Sequence, residues 1–299
     1  MPRPPASLPT PLRDRAFTLG DGRAAGLTRA RMRASDLEAP TSSVRLPAGA
    51  APTLARRAHA FSLVLPPDTA FSHLTAAHLL GLPTPRPWVP AEPLDVMRPT
   101  DRPRLKRRGV RSHRGLETRH LLAVDGLRVT DPLDTWTDLA DTLTTTDLVV
   151  VGDALLGPSW RLRPKDLERQ ADDQSGRGVR RLRRAADLVR VGSASPWESR
   201  TRVRFHEWGL PEPELNVDLY AACGRWLARP DFVWRRQRVV GEYDGDQHRT
   251  DRSAWQYERE RRAGLEDEGW SYVEMTSLSL VGARESSALR TRLTRLLVP

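Results

Sequence analysis

The sequence predicts an α/β protein in which a mainly helical N-terminal region precedes a C-terminal domain with a mixed sheet. Apolar residues recur at helical spacing through much of residues 51–190, which indicates amphipathic helices. Beyond residue 190, short runs of alternating apolar and polar residues, typical of strands, lie between helical segments. A length of 299 residues allows two or three domains of ordinary size.

Composition limits the compartment and the kind of partner. The net charge of +10 is carried almost wholly by arginine, and a basic excess favours a polyanion because bound phosphates release counterions. Cys223 is the single cysteine, which excludes an internal disulfide and a cysteine zinc site. No apolar stretch approaches the ~18 residues of a membrane span, and no signal-peptide pattern opens the chain. We therefore expect a cytoplasmic protein that does not enter a membrane.

The N-terminal end predicts a disordered lead followed by a small DNA-binding module. Residues 1–12 are rich in proline, and residues 13–50 have the pattern of a winged helix. Gly26 is predicted to end the first helix, residues 27–33 are predicted to form a short basic helix, and residues 41–47 are predicted to form the wing strand. In a helix-turn-helix the second helix enters the major groove, and the alternative is a packing module with solvated arginines. The candidate DNA contacts are Arg29, Arg31 and Arg33.

Residues 51–190 are predicted as a mixed, mostly helical middle domain. Helices are expected over residues 51–65, 72–80, 131–143, 147–156 and 179–191. His73 and His78 have no obvious third ligand for a metal, so capping or core roles are predicted for both. The densest basic stretch, residues 102–114, is predicted as strand and loop that either binds phosphates or forms a solvated edge strand. Its candidate phosphate-binding residues are Arg107, Arg108 and Arg111.

Residues 191–299 form the predicted C-terminal domain, in the order helix, three or four strands, helix, strand and helix. One helix begins after Ser195, and a second begins after Ser253 and ends at Gly269. Strand patterns occur over residues 216–219, 225–228, 231–234, 239–244 and 270–275.

Acidic residues interrupt two of these strand patterns. Glu242 and Asp244 lie two positions apart, so both carboxylates fall on one face of a strand. A hairpin loop over residues 235–237 sets Asp231 opposite Gly241 or Glu242. Three carboxylates would then converge within a few ångströms, a repulsive arrangement that a divalent cation relieves. The alternative is a turn aspartate beside the solvated face of an edge strand paired with arginines.

Several short motifs of this domain occur together. They are Ser195-Pro196-Trp197-Glu198-Ser199-Arg200, Gly209-Leu210-Pro211-Glu212-Pro213, Arg229-Pro230-Asp231-Phe232, Glu242-Tyr243-Asp244-Gly245-Asp246-Gln247-His248-Arg249, Glu258 with Arg261, and Gly269-Trp270. On these motifs, residues 194–280 resemble the endonuclease-related domain of unknown function that belongs, with very-short-patch-repair endonucleases, to the PD-(D/E)XK nuclease superfamily. The resemblance implies a restriction-endonuclease-like α/β core with a mixed sheet.

The N-terminal part is similar to the winged-helix and following domain of abortive-infection antitoxins of type IV toxin–antitoxin systems. Residues 131–140 contribute to this similarity. It implies DNA binding and a cognate toxin as a second partner. Such fusions are familiar in high-GC Gram-positive bacteria, which agrees with the arginine-rich composition.

Position by position, the superfamily resemblance implies that Asp231 and Glu242 bind the metal ion and that Glu198 holds water or a second ion. Asp244, a third candidate ligand by spacing, stands where the superfamily usually has a lysine. That lysine orients the attacking water and stabilises developing charge, and an aspartate cannot supply the positive charge.

Two further residues are candidates for catalysis. His248 is similar in placement to the catalytic histidine of the short-patch-repair enzymes, with a cap at a helix start as the alternative. Arg261, if it points inward from its helix, is the candidate for the missing cation. A surface pair with Glu258 is the alternative for Arg261.

The sequence therefore predicts a DNA endonuclease of the repair or defence type that hydrolyses phosphodiester bonds with Mg²⁺ or Mn²⁺. The alternative is a DNA-binding antitoxin or transcriptional regulator whose nuclease-like domain has lost catalysis. A zinc or serine hydrolase has little support, because the HExxH and GxSxG motifs are absent. RNA stays open as a substrate, since no dedicated RNA-binding module is recognisable.

Overall fold

The computed structural model of the chain describes residues 5–49, 51–245 and 252–298, without the side chains of 252–258. The described residues form a mixed α/β structure, which confirms the predicted class at this level. The chain divides into two compact units, Met1–Leu139 and Ala140–Pro299, so the boundary expected at residue 190 falls inside the second unit. No helix in the described ranges is both long and apolar enough to cross a bilayer.

The first unit contains two sheets and four α-helices in its described residues. In chain order its elements are β1 (Phe17–Thr18), α1 (Leu19–Ala24), β2 (Leu37–Glu38), β3 (Val44–Pro47), α2 (Leu54–Ser62), β4 (Ala70–Phe71), α3 (His73–Leu79), β5 (Leu94–Arg98), β6 (Val110–Arg114), β7 (Leu121–Val124), β8 (Leu127–Thr130) and α4 (Pro132–Asp138). The sheets have the orders β1–β3–β2 and β6–β5–β4–β8–β7. The basic stretch is a loop followed by β6 at a sheet edge, as the strand-and-loop prediction required.

The N-terminal end is more ordered than its proline content predicts. Leu8 and Leu12 are buried in one cluster with Phe17 of β1. The prediction of a disordered lead over residues 1–12 is therefore wrong for the residues that the structure describes there. Burial of these apolar side chains offsets the conformational entropy lost by ordering the segment.

The predicted basic helix over residues 27–33 is largely wrong. The structure forms a 3₁₀ turn at Arg31–Arg33 in its place. The Thr28 hydroxyl accepts the N–H of Arg31 at 3.1 Å, and such local side-chain bonds compete with a continuous α-helix. Within the described residues, the N-terminal module thus lacks a regular second helix of the kind expected for a helix-turn-helix.

The second unit begins with three helices, and the part after them differs from the predicted order in two places. In its described residues five short strands, rather than three or four, follow the first helix, and two helices, rather than one, follow the last strand. In chain order its elements are α5 (Thr145–Leu156), α6 (Pro164–Asp172), α7 (Val179–Leu188), α8 (Pro196–Glu207), β9 (Glu214–Leu215), β10 (Leu219–Tyr220), β11 (Trp226–Ala228), β12 (Phe232–Trp234), β13 (Val239–Tyr243), α9 (Arg252–Asp267), β14 (Ser271–Met275), α10 (Ser277–Val281) and α11 (Ala283–Leu297). A four-stranded sheet has the order β14–β13–β12–β9, and β10 pairs separately with β11. The sheet is mixed, as predicted, because β13 runs parallel to β14 and antiparallel to β12.

Both faces of this sheet are covered. Phe232 belongs to one core with Phe205 of α8, whereas Val233 and Val240 belong to a second core with Leu265 of α9. Successive side chains of a strand point to opposite faces. Residues of β12 and β13 therefore alternate between the α8 side and the α9 side of the sheet.

Buried charges join the sheet domain to the helices before it. Arg202 of α8 donates to Asp153 of α5 at 2.8 Å, and their side chains are only 3% and 1% exposed. Arg200 donates to Asp147 of α5 at 2.6 Å. These contacts explain why α5 belongs to the second unit, although its sequence pattern resembles that of the preceding helices.

Candidate functional site

The hairpin β12–β13 places Asp231 across from Glu242. Phe232 pairs with Gly241 in the antiparallel ladder, so the next position sets these two acidic residues opposite each other. The Asp231 carboxylate accepts the backbone N–H of Tyr243 at 2.7 Å, which fixes its orientation at the end of the ladder. One of the two registers expected from the sequence is therefore observed.

Asp231 sits in an unfavourable place for a negative charge. Burial raises the pKa of Asp231 to about 7, and repulsion from Glu198 and Glu242 acts in the same direction. The N–H of Tyr243 and the charge of Arg261 oppose this rise in pKa. The three carboxylates of Asp231, Glu198 and Glu242 therefore share one electrostatic environment.

Glu198 lies in the first turn of α8 and is 6% exposed. Its backbone N–H donates to the capping hydroxyl of Ser195 at 3.2 Å, while its carboxylate accepts the N–H of Ala194 at 2.8 Å. The Asn216 side-chain amide donates to the same carboxylate oxygen at 2.6 Å. The backbone N–H of Asn216 donates to the carbonyl of Asp231 at 3.1 Å, so this asparagine links the two acidic residues.

Asn216 was not among the residues selected from the sequence. Its backbone φ of 48° lies in the left-handed region, where asparagine is more frequent than most residues. An asparagine directly after the short strand β9 is the sequence signal that could have found it.

Glu242 meets a cation from the helix that covers its face of the sheet. Arg261 of α9 donates to the Glu242 carboxylate, so the prediction that Arg261 points inward is met by this pair. The Tyr272 hydroxyl of β14 donates to the same oxygen at 2.9 Å. Tyr272 was assigned only to a core strand from the sequence, and its hydroxyl role depends on the parallel pairing of β13 with β14.

Asp244 lies just beyond the end of β13 and is half-buried. Its backbone N–H donates to the carbonyl of Met275 at 2.8 Å, which continues the pairing with β14. The expected convergence of Asp231, Glu242 and Asp244 is not found as a compact group of oxygens. In the described part of the chain, the group of acidic and histidine ligand atoms within 4.8 Å of one another is His120, Asp131 and Asp134. His248 lies outside the described residues.

The His120 group has an ordinary structural explanation. Asp131 caps α4 by accepting the N–H of Asp134 at 2.7 Å, and Asp134 accepts the backbone N–H of His120 at 2.6 Å. The His120 side chain is 87% exposed. These bonds order the start of α4 without a metal ion.

The carboxylates around Asp231 fit a hard divalent cation better than the His120 group does. Their donors are all oxygens, which Mg²⁺ and Mn²⁺ prefer. Desolvation and repulsion from Glu198 and Glu242 outweigh the Tyr243 N–H and Arg261 in setting the pKa of Asp231. A cation between Asp231 and Glu242 would offset that repulsion, although Arg261 already neutralises part of the Glu242 charge.

The N-terminal candidates differ in their availability for DNA. Arg29 and Arg33 are exposed. Arg31 forms a two-pronged pair with Asp36 at 2.7 and 2.9 Å and is 9% exposed, so its assignment as a groove contact is corrected to a structural role. A bidentate guanidinium–carboxylate pair fixes the turn that follows the N-terminal module's helix.

The three candidate phosphate-binding residues of the basic stretch differ in their contacts. Arg107 donates to the Thr41 hydroxyl at 3.1 Å, and Arg108 is exposed. Arg111 donates to the buried carboxylate of Asp95 at 3.1 Å, which makes it part of an internal network. Phosphate binding is compatible with all three positions, because the Arg111 side chain is 53% exposed in addition to its bond to Asp95.

A polar cluster in the first unit was missed by sequence reasoning. The rings of His73 and His113 stack at 3.5 Å between centroids, and His113 contacts Asp95 at 2.9 Å. Burial lowers the pKa of His73 to about 3, and burial raises the pKa of Asp138 to about 6. Arg119 donates to Asp138 at 2.9 Å. His73 is buried at the start of α3, as its predicted capping or core role required.

Comparison with known proteins adds relatives without an assigned activity. No protein-family model matches the chain, and no solved structure matches it significantly. Two proteins from two strains of Mycobacterium tuberculosis, each described as uncharacterized, are 28% identical to the chain over 225 residues. The alignment covers 74% of this chain and 78% of each relative. The similarity therefore extends across most of the chain.

Proposed function

We propose that the chain is a DNA endonuclease that uses Mg²⁺ or Mn²⁺, with a restriction-endonuclease-like core in its second unit. The observation that supports this proposal most is Asp231, half-buried across from Glu242 and close enough to Glu198 for repulsion to raise its pKa. A carboxylate with a strongly perturbed pKa that faces a second carboxylate is typical of catalytic sites. An ion pair with a purely structural role would need one carboxylate, whereas three carboxylates meet here.

Each carboxylate has a separate role in this proposal. Asp231 and Glu242 hold the cation, with their orientations fixed by the Tyr243 N–H and the Tyr272 hydroxyl. A bound Mg²⁺ would neutralise part of the negative charge of the scissile phosphate and lower the pKa of a water molecule bound to it. Glu198, held by two N–H donors, accepts a proton from the attacking water, and His248 is the second candidate for this step.

Arg261 takes the place of the lysine that Asp244 replaces. Its guanidinium reaches the site from α9, on the face of the sheet that carries Glu242. A fixed positive charge there stabilises the extra negative charge on the phosphate in the transition state. Asp244 is then a peripheral carboxylate rather than an essential ligand.

The first unit supplies DNA contacts that are independent of the site. Arg29 and Arg33 are exposed cations of the winged-helix-like module, and Arg108 is an exposed cation of the basic stretch. Most protein–DNA hydrogen bonds go to phosphates and sugars, and these positions suit such contacts. A protein that acts on DNA in this way would work in the cytoplasm.

The proposal is tested by metal-dependent nicking of supercoiled plasmid and of mismatched duplex DNA. Wild-type protein is expected to cut in Mg²⁺ or Mn²⁺ and not in EDTA, and Asp231→Asn and Glu242→Gln are expected to lose cutting. The matched control is Glu207→Gln, which neutralises an exposed carboxylate at the end of the same helix as Glu198. Cutting that survives both site substitutions would sink the proposal.

A second function is favoured by one specific observation. Arg261 already pairs with Glu242, and Asp244 occupies the usual lysine position, so the nuclease-like unit would bind metal weakly and not turn over. The chain would then be a DNA-binding antitoxin or regulator, with a cognate toxin as its partner. A gel shift with the upstream region of its own operon, without cleavage in Mg²⁺, distinguishes this function from the first.

A further inference from the structure

A cavity of about 1160 Å³ lies within the first unit. It is bounded by the loop between β2 and β3, the first turn of α2, and the loops that precede β5 and β6. Its volume exceeds the roughly 300–1,000 Å³ of a typical small-molecule site. A ligand larger than a single small metabolite therefore fits the space.

The cavity is strongly cationic. Its basic lining residues are Arg56, Arg57, Lys106, Arg107 and Arg108. The described lining residues include one carboxylate, Glu38, against these five cations, which leaves a net charge of +4. Positive charge concentrated in a concave surface attracts and retains anions more strongly than the same charge spread over a convex one.

Two hydrogen-bond donors in the cavity lack a protein acceptor. The Nε atom of Arg57 and the Nε1 atom of Trp88 are buried, and neither has an acceptor among the described residues. The Arg57 guanidinium lies over the Phe61 ring at 5.2 Å from its centroid, which fixes its plane. Desolvation by burial lowers the pKa of Arg57. An anion bound in the cavity would offset the cost of holding this guanidinium charge away from water.

Trp88 adds a flat apolar surface to this set of cations. Its indole ring is half-buried in the lining, beside residues of the loop that precedes β5. Nucleic-acid strands are bound without sequence preference by grooves that combine cations for the phosphates with aromatic rings for the bases. A paired duplex keeps its bases stacked inside and cannot use such a ring.

We propose that this cavity binds unpaired nucleotides of a nucleic-acid strand, with phosphates at its arginines and a base against Trp88. Arg107, held by the Thr41 hydroxyl, is already oriented for such a phosphate. The site goes beyond the proposed nuclease function, because binding here does not require the second unit to cut. The endonuclease, if active, would then favour DNA with a single-stranded segment.

The test uses full-length protein in EDTA, where metal-dependent cutting is absent. Fluorescence anisotropy measures binding of a labelled oligothymidylate strand, with a labelled duplex, AMP and inorganic phosphate as separate competitors. The variants are Trp88→Leu, the rescuing Trp88→Phe, and Arg108→Gln, an exposed position that is not expected to disturb folding. The matched control is Arg184→Gln, an exposed arginine of α7 in the second unit.

The expected results separate stacking from charge. Trp88→Leu weakens strand binding by roughly tenfold with an unchanged salt dependence, and Trp88→Phe restores most of the affinity. Arg108→Gln weakens binding and reduces the slope of log affinity against log salt by about 0.7. Arg184→Gln leaves both quantities unchanged.

Three outcomes would overturn the assignment. Strand binding that is insensitive to both Trp88→Leu and Arg108→Gln would place the strand elsewhere. A duplex that competes as well as the strand would exclude recognition of unpaired bases. AMP that competes at equal nucleotide concentration would identify a free nucleotide as the occupant.

Discussion

Arg261 of α9 donates a hydrogen bond to the carboxylate of Glu242 on β13, so the second expected metal ligand is paired with a guanidinium. This pair combines two features that the sequence left separate, an acidic strand position and a basic helix position. The pair would have a different role in each of the two functions proposed above. In an active nuclease Arg261 assists the phosphate, whereas in an inactive regulator it substitutes for the metal ion.

The variant Arg261→Gln distinguishes the two functions when its rate of DNA cutting is measured. We expect cutting to fall by roughly 10²-fold or more at saturating Mg²⁺, because a fixed charge at the transition state is lost. The Mg²⁺ concentration for half-maximal activity should also fall, since Glu242 no longer shares its charge with the guanidinium. The control is Arg290→Gln, which removes the charge of an exposed arginine on α11. Unchanged turnover in Arg261→Gln would contradict the assigned role.

Asp231→Asn should change stability with pH in metal-free buffer. The pKa of Asp231 is about 7 in the fold and 3.8 in its reference state, so the folded chain holds this proton more tightly. Its contribution to stability is complete below pH 3.8 and is lost as pH rises through about 7. The asparagine of the variant carries no charge at any of these pH values. The Tm of Asp231→Asn should therefore exceed that of wild type by a difference that grows as the pH rises, to about 5 °C at pH 8.

Mg²⁺ provides the internal check for the Asp231 prediction. A bound cation favours the ionised carboxylate, so Mg²⁺ should raise the Tm of wild type at pH 8 and leave Asp231→Asn nearly unchanged. Glu207→Gln should follow wild type in both buffers. A pH-independent difference between Asp231→Asn and wild type would mean that Asp231 is not a strained carboxylate.

The stacked histidines make the first unit sensitive to acid. The pKa of His73 is about 3 in the fold against 6.5 in its reference state, so the unfolded chain binds this proton first. Stability from neutral His73 is complete above pH 6.5 and is lost as pH falls toward 3. Asp138 acts in the opposite direction, because its raised pKa of about 6 costs stability as pH rises from 3.8.

His73→Asn isolates the histidine contribution. Asparagine tolerates the φ of 51° at this position, so the backbone conformation can be retained. The variant should be less stable than wild type at pH 7, and the gap should narrow by roughly 2 kcal/mol by pH 4 in urea denaturation. The control is His59→Asn on the exposed face of α2, where the gap should stay constant with pH.

The acidic hairpin shows what local pattern can predict. The alternation around Glu242 and the short loop to Asp231 are properties of neighbouring residues, and the observed register is one of the two expected. The basic helix at residues 27–33 failed for a similarly local reason, since one threonine hydroxyl competes with the helical bond. Periodicity alone does not weigh that competition.

The residues that donate hydrogen bonds to the carboxylates of the site could not be predicted from the sequence. Tyr272 reaches Glu242 through the parallel pairing of two strands that are separated by a helix, and Asn216 reaches Glu198 from the loop that follows β9. Contacts of this type depend on sheet order and helix placement, which short-range patterns do not determine. The alternation also did not predict that β13 ends at Tyr243, so that Asp244 lies beyond the strand.

The buried pair of Asp153 and Arg202 should decide whether the second unit holds together as one cooperative structure. Asp153 accepts bonds from the Arg202 guanidinium and from the backbone N–H of Arg190, and Arg202 also donates to the carbonyl of Leu188 at 2.7 Å. Asp153→Ala leaves the buried guanidinium with only the carboxylate of Glu212 at 3.9 Å and should lower the free energy of unfolding by about 3 kcal/mol. Urea denaturation followed by tryptophan fluorescence measures this loss.

Two further variants separate burial from charge in that result. The double variant Asp153→Leu with Arg202→Met removes both charges together, and it should recover much of the stability because no unpaired ion remains. Glu207→Gln breaks the exposed pair with Arg204 and should cost less than about 1 kcal/mol. If Asp153→Ala cost no more than Glu207→Gln, α5 would not depend on α8 for its place. The helices before residue 190 would then belong to a separate domain, as the sequence pattern suggested.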